Sequence, residues 1–214
     1  YERKKKRDFS FKSVGIQAQG RTTILKINYR NTRQILWMAS LIAADLLKPE
    51  DKDDDGVPLL QPVSCGRDGA EPLIVRLPLQ HEEPMKLAEL LAAAHREGHA
   101  WGDMAILCRH YSTMDECARI LAQRKMPHMV RKTGQRFDPM ANTIKVMTMH
   151  ASKGLEFPIV AIPGVGQMPT PGEDSQDEAR LLYVAMTRAT HQIYMTISGS
   201  GEFGRRLEGR THLA

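Results

Sequence analysis

Residues 143–166, TIKVMTMHASKGLEFPIVAIPGVG, decide the fold. The stretch first alternates: Ile144, Val146 and Thr148 fall on one face of an extended segment, with Lys145, Met147 and Met149 on the other. A second apolar run, Pro158 to Ile162, follows at once, so two strands bracket the polar loop from His150 to Glu156. In that loop His150, Ser152 and Lys153 offer donors and positive charge to phosphate oxygens. Gly154 lets a ligand approach the backbone, and Glu156 can accept from a sugar hydroxyl. The same residues also read as an exposed turn, with Ser152 as a cap and Lys153 in water. Both readings stay open on chemistry alone.

Downstream, Ser175-Gln-Asp-Glu178 has the form of a capping box and predicts a helix from Asp177 to about Ala189. Gln192 to Ile197 reads as a final strand, and the Gly- and Arg-rich residues past Gly199 as a partly frayed end. Upstream, Thr22 to Ile27 is a candidate strand leading through Asn28-Tyr29-Arg30-Asn31 into a helix from Thr32 to Leu47. Leu73 to Leu77, Met104 to Cys108 and His128 to Val130 are further strands. Between them lie a helix opened by Pro84 and closed by Gly98, and another capped by Ser112. Strands alternating with helices predict an α/β fold: a mostly parallel sheet with helices on both faces. Sites in such sheets gather at the carboxyl ends of strands. Three polar segments are expected there or on an adjoining helix: Asn28 to Asn31, His150 to Glu156, and Tyr183 to Arg188.

Composition narrows the class. The chain of 214 residues carries a formal net charge of +5, a modest surplus that is unevenly spread. Arg3 to Arg7 is wholly basic and could meet nucleic-acid phosphates or be a solvated arm, whereas Glu50 to Asp55 is an acidic surface loop. No apolar run approaches the length of a membrane span and no signal-peptide pattern opens the chain, so no membrane and a cytoplasmic location are expected. Cys65, Cys108 and Cys117 form no Cys-x-x-Cys pair, and His95-Arg-Glu-Gly-His99 has its Glu in the wrong place for a zinc helix, so no metal site is expected. Gly15 to Thr22 has Walker A spacing but carries Arg21 where the phosphate-binding Lys belongs, and it reads as a decoy.

Three further residues stand out. Tyr29 offers a flat ring for a base and Arg30 a planar fork for phosphate, although the pair could equally anchor a helix start. Arg188 emerges at the edge of the face shared by Leu181 and Ala185. It suits an arginine finger, or a cation that complements its own helix C-terminus.

VMTMHASKGLEFP and EARLLYVAMTRA resemble the fifth and sixth helicase motifs of the UvrD/Rep family of superfamily 1, and LKINYRNTRQIL resembles its fourth. The motifs occur in order, and the likeness covers most of Thr22 to Ile197. It implies a second RecA-like domain at residues 22–198, flanked by a basic remnant of a preceding domain or linker at 1–21 and a tail at 199–214. By the family's pattern Tyr29 would stack on adenine, Arg30 and Arg188 would reach the γ-phosphate, and Glu156, with Gly154 beside it, would meet the nucleotide. Thr148, His150, Ser152 and Lys153 would lie near the DNA backbone. ATP and Mg2+ would be bound mainly by an N-terminal RecA-like domain of the same protein, and single-stranded DNA would be moved in steps, commonly 3′ to 5′. Such a domain is expected to be inactive without its Walker A half, since that Lys and the acidic magnesium-binding segment are absent from these residues, and Tyr1 resembles the end of the third motif. Only a short stretch stands between Gly134 and Thr143, where large relatives insert a subdomain, so the chain resembles a compact member. The alternative is a non-catalytic interaction module that retains the helicase fold.

Overall fold

A computed structural model describes residues 27–28, 30–43, 63–64, 66–132 and 137–209, with backbone only at 27–28 and 63–64. The basic segment, the Walker-like decoy, Tyr29, the acidic cluster and Cys65 lie outside the described residues. In chain order the strands are β1 (Ile27–Asn28), β2 (Val63–Ser64), β3 (Leu73–Arg76), β4 (Met104–Cys108), β5 (His128–Val130), β6 (Ile144–Thr148), β7 (Phe157–Ile162) and β8 (Ala189–Ile197). The helices are α1 (Arg33–Ala43), α2 (Glu83–Arg96), α3 (Tyr111–Gln123), α4 (Ser175–Met186) and α5 (Glu202–Glu208). β1 pairs with β2, and the other six strands form one sheet in the order β3-β8-β7-β4-β6-β5, every neighbouring pair parallel.

The pleat of each strand feeds both layers. On one face Met104, Ile106, Ile144, Val146 and Ile159 pack with Leu87 and Leu91 of α2 and Met114 and Leu121 of α3. On the other, Ala105, Leu107, Met147, Val160 and Ile193 pack with Ile35 and Ile42 of α1, Leu182 of α4 and Phe203 of α5. This is the expected RecA-like α/β arrangement, with a sheet that is wholly parallel. Burial on both faces explains why β4 and β6 are apolar nearly throughout. The exceptions are Thr148, at the end of β6, and Lys145, whose buried ammonium donates to the carbonyls of Thr143 (2.9 Å) and Ala141 and so ties down the end of the connection from β5.

Several element ends differ from expectation for local reasons. Asp174, not Ser175, caps α4: its carboxylate accepts from the N–H groups of Gln176 and Asp177, each at 2.9 Å. Glu178, which a capping box would turn back to the cap, is buried and paired instead with Arg109 at 2.7 Å. α3 begins at Tyr111 behind His110, so Ser112 is already helical. α4 stops at Met186 and β8 begins at Ala189, earlier than Gln192. Beyond Gly199 the chain forms α5, with Phe203 and Leu207 in the core. α5 can dock because Gly166 has no side chain: a Cβ there would lie 1.9 Å from the Ser198 carbonyl oxygen.

One connection governs everything that follows. β6 and β7 run parallel on either side of β4, so residues 149–156 must travel from the carboxyl rim of the sheet back to its amino rim. That is a span of about 16 Å for strands of this length. Ala151 and Leu155 pack against the core beneath α1 and α4, which puts the crossing on that face.

Candidate functional site

The amino rim gathers three segments. Glu156 directly precedes β7 and Arg188 directly precedes β8, and the first residues of these strands, Phe157 and Ala189, are register partners. The Phe157 N–H donates to the Arg188 carbonyl at 2.9 Å, which locks the two corners together. Arg30, just ahead of α1, reaches the same place: its Nη1 lies 2.5 Å from the Glu156 carboxylate. The Arg188 side chain lies along its own helix end, with Nε donating to the Val184 carbonyl at 3.1 Å and Nη1 to the Leu155 carbonyl at 3.4 Å. Both readings of Arg188 therefore have a basis, since it complements the last turn of α4 and stands beside Glu156.

The expectation that the three polar segments lie at carboxyl ends of strands or on an adjoining helix is met in part. Arg30 and Asn31 follow β1, His150 follows β6 and Tyr183 to Met186 is helical in α4, but the side chains of interest divide between the two rims of the six-stranded sheet. Parallel strands force each connection to return, so only the His150 end of the loop sits at the carboxyl rim. Glu156, Arg188 and Arg30 sit at the opposite one.

At the carboxyl rim a single turn of 3-10 helix, His150–Ser152, follows β6. Thr148 is buried, and its hydroxyl oxygen accepts from the Ala151 N–H at 3.2 Å. Ser152 is fully buried and donates to the Met149 carbonyl at 2.6 Å, so this hydroxyl shapes the turn and faces inward. His150, Lys153 and Gly154 are exposed, and Gly154 has a φ of +76° with open space where a side chain would stand. Arg131, at the end of β5, donates to the Ala151 carbonyl at 2.7 Å and lies 5.0 Å over the Phe137 ring. Tyr183 is in the core, where burial pushes its phenol up to about 12.

Behind Arg30, the Arg67 guanidinium donates to the Arg30 carbonyl at 3.2 Å and lies 2.7 Å from His191 Nε2. The His191 imidazole is held below its ordinary value by partial burial and by the charge of Arg67. Sequence reasoning missed Arg67, which belongs to no period or motif; Asn31 lies within the polar segment and the LKINYRNTRQIL stretch but was given no role of its own. His95 and His99 are engaged within their own turn, His95 contacting the His99 carbonyl at 2.7 Å and stacking on Trp101 at 3.8 Å. Among the described residues no three His, Cys, Asp or Glu side chains are grouped to hold a metal, and no helix is long and apolar enough to cross a membrane.

A wholly parallel sheet covered on both faces by helices defines the class as an α/β domain of RecA-like arrangement. More particularly, residues 129–200 match the family model of the UvrD-like helicase C-terminal domain. It is 44% identical over 78 residues to the ATP-dependent DNA helicase PcrA of Staphylococcus aureus, covering 32% of this chain and 10% of that protein. The PcrA helicase of Bacillus subtilis is 38% identical over 79 residues, 34% of this chain and 10% of that protein. The helicase UvrD1 of Mycobacterium leprae is 29% identical over 122 residues, 51% of this chain and 16% of the relative. The chain thus spans a small part of the relatives it matches. The crystal structure of the C-terminal domain of a possible DNA helicase from Lactobacillus plantarum has the same fold. Its TM-score is 0.61 at 23% identity, covering 84% of this chain and 94% of that one.

Proposed function

We propose that this chain is the half of an ATP-dependent DNA helicase that closes over nucleotide held by a Walker A domain and carries single-stranded DNA on its own surface. The observation that supports this most is the gathering of Arg30, Glu156 and Arg188, from distant parts of the chain, on one exposed rim. Charge developing on a transferring γ-phosphate is stabilised by guanidinium groups held in place before the reaction, and two arginines on a rim suit a site completed by a neighbouring domain. Glu156 would accept from the ribose, and Tyr29, next to Arg30 but outside the described residues, would stack on the base. His150 and Lys153 would meet the DNA backbone near the other rim, on a turn whose shape is held by Thr148 and Ser152. ATP and Mg2+ would sit mainly in the partner domain, since the sequence supplies no Walker A Lys and, among the described residues, no three His, Cys, Asp or Glu side chains are grouped to hold the ion.

The test is ATP turnover with magnesium and single-stranded DNA. The chain alone is expected to show none above background, and robust turnover would defeat that part of the proposal. In the full-length polypeptide, Arg30→Ala and Arg188→Ala should each lower kcat by roughly a thousandfold while DNA binding and folding persist. Unchanged turnover, with partner or DNA binding indifferent to both substitutions, would favour a non-catalytic module.

A further inference from the structure

We infer that Asn31 is a positioning residue that makes one unit of Arg30 and Arg188; this rests on the reading of those arginines given above. Asn31 is buried, with only 2% of its surface exposed, at the turn between Arg30 and α1. Its amide nitrogen donates to the carbonyl of Thr187 at 2.8 Å and to that of Ala189 at 2.5 Å, one on each side of Arg188. The peptide preceding Asn31 carries Arg30. A single side chain therefore bridges the backbone of one arginine to the backbone flanking the other, across 156 residues of sequence.

The chemistry of the contact selects a carboxamide. Two carbonyl oxygens face the group, so it must supply two N–H donors from one atom at the end of a short stem. Aspartate would present oxygens to oxygens. Serine has one donor and a shorter reach, and alanine has no donor. The Thr187 carbonyl belongs to the end of α4, where carbonyls lack partners within the helix, and Asn31 satisfies it. The corner at residues 187–189, which turns the chain from α4 into β8 and aims Arg188, is thereby tied to the start of α1. Without the tie the backbones that carry the two guanidinium groups are linked only through the 155–157 corner, by way of the exposed Arg30–Glu156 contact, and displacements near 1 Å cost about a hundredfold in rate when charge must be met in one geometry.

The experiment is steady-state ATP hydrolysis by the full-length polypeptide with saturating single-stranded DNA, comparing Asn31→Ala, Asn31→Asp, Arg188→Ala and the Asn31→Ala/Arg188→Ala double variant. Asn31→Ala is expected to lower kcat roughly tenfold to a hundredfold with KM for ATP changed less than about threefold, and Asn31→Asp at least as much. The double variant should be about as slow as Arg188→Ala alone, because Asn31 acts through Arg188. Wild-type kcat in Asn31→Ala beside a slow Arg188→Ala would overturn the inference and leave the arginine reading standing. Multiplying losses in the double variant would overturn it too, since a general loosening of the fold adds to the loss of Arg188. Wild-type rates in Arg188→Ala would instead overturn the underlying reading. If Asn31→Ala does not fold, Asn31→Ser, which keeps one donor, gives the same comparison.

Discussion

Arg30 and Glu156, 126 positions apart in the chain, meet at 2.5 Å on the amino rim of the sheet. Their side chains are 72% and 37% exposed, so water and salt screen the pair and its contribution to stability is under about 1 kcal/mol. The contact is more informative as competition: a phosphate that takes the Arg30 guanidinium releases the Glu156 carboxylate for a hydroxyl donor. In the full-length polypeptide Glu156→Gln should raise KM for ATP severalfold and leave kcat within about threefold, because a ribose contact serves ground and transition states alike. A large fall in kcat at unchanged KM would contradict this assignment. Thermal melting should move little.

Lys153 is exposed on the crossing between the rims. If it neutralises a DNA phosphate, Lys153→Ala should weaken single-stranded DNA binding at every sequence alike. It should also reduce the slope of log affinity against log salt by about 0.7. Fluorescence anisotropy across a salt series measures both. An unchanged slope would remove Lys153 from the DNA path.

Gly166 bears on stability rather than chemistry. Its carbonyl accepts from the Gly201 N–H at 2.6 Å, and any Cβ would strike the Ser198 carbonyl. Gly166→Ala should cost roughly 3 kcal/mol or more, seen as a lower midpoint in urea and as earlier proteolysis within α5. Wild-type stability would mean that the backbone can part at this point without loss.

Glu83 is 1% exposed at the start of α2 and holds three donors: the Thr196 hydroxyl at 2.7 Å, the Gly164 N–H at 2.5 Å and the Ser198 hydroxyl. Burial is the largest influence on it and holds its carboxyl above the ordinary value of 4.5, against the lowering effect of those hydrogen bonds. The folded state therefore binds this proton more tightly than the unfolded chain. The associated stability is fully present below pH 4.5 and is lost as pH rises through the raised folded value. Glu83→Gln cannot titrate. The melting temperature of the wild type minus that of the variant should fall as pH is raised from 4.5 towards neutrality, and a rising difference would reverse the sign argued here.

The strands were the legible part of this fold, because period-two alternation at 144–149 and the apolar runs at 104–108 and 158–162 are stated by side chains alone. Element ends were less legible, since competing caps lie side by side. Asp174 and Ser175 both offer an oxygen, and the helical propensity of Leu181 to Met186 gives no hint that Asn31 draws the chain into β8 at Ala189. α5 left a weak signal in the spacing of Phe203 and Leu207, outweighed by the glycines and arginines around them. The site residues were legible as residue types and, through the resemblance, as a set. That they divide between two rims was not, because this follows from strand order, which places β4 between β6 and β7.

The 149–156 crossing is fastened at several points. Its first N–H is fixed to the Cys108 carbonyl at 2.8 Å, its middle is pinned where Leu155 donates to the Ser152 carbonyl at 3.0 Å, and the residue after it is fixed to Arg188. Eight residues could extend well beyond the distance they cover, so these fastenings, and not a stretched main chain, set where the His150 and Glu156 ends stand. Removing or adding one residue there would break one of these fastenings first, even if the sheet itself were left intact.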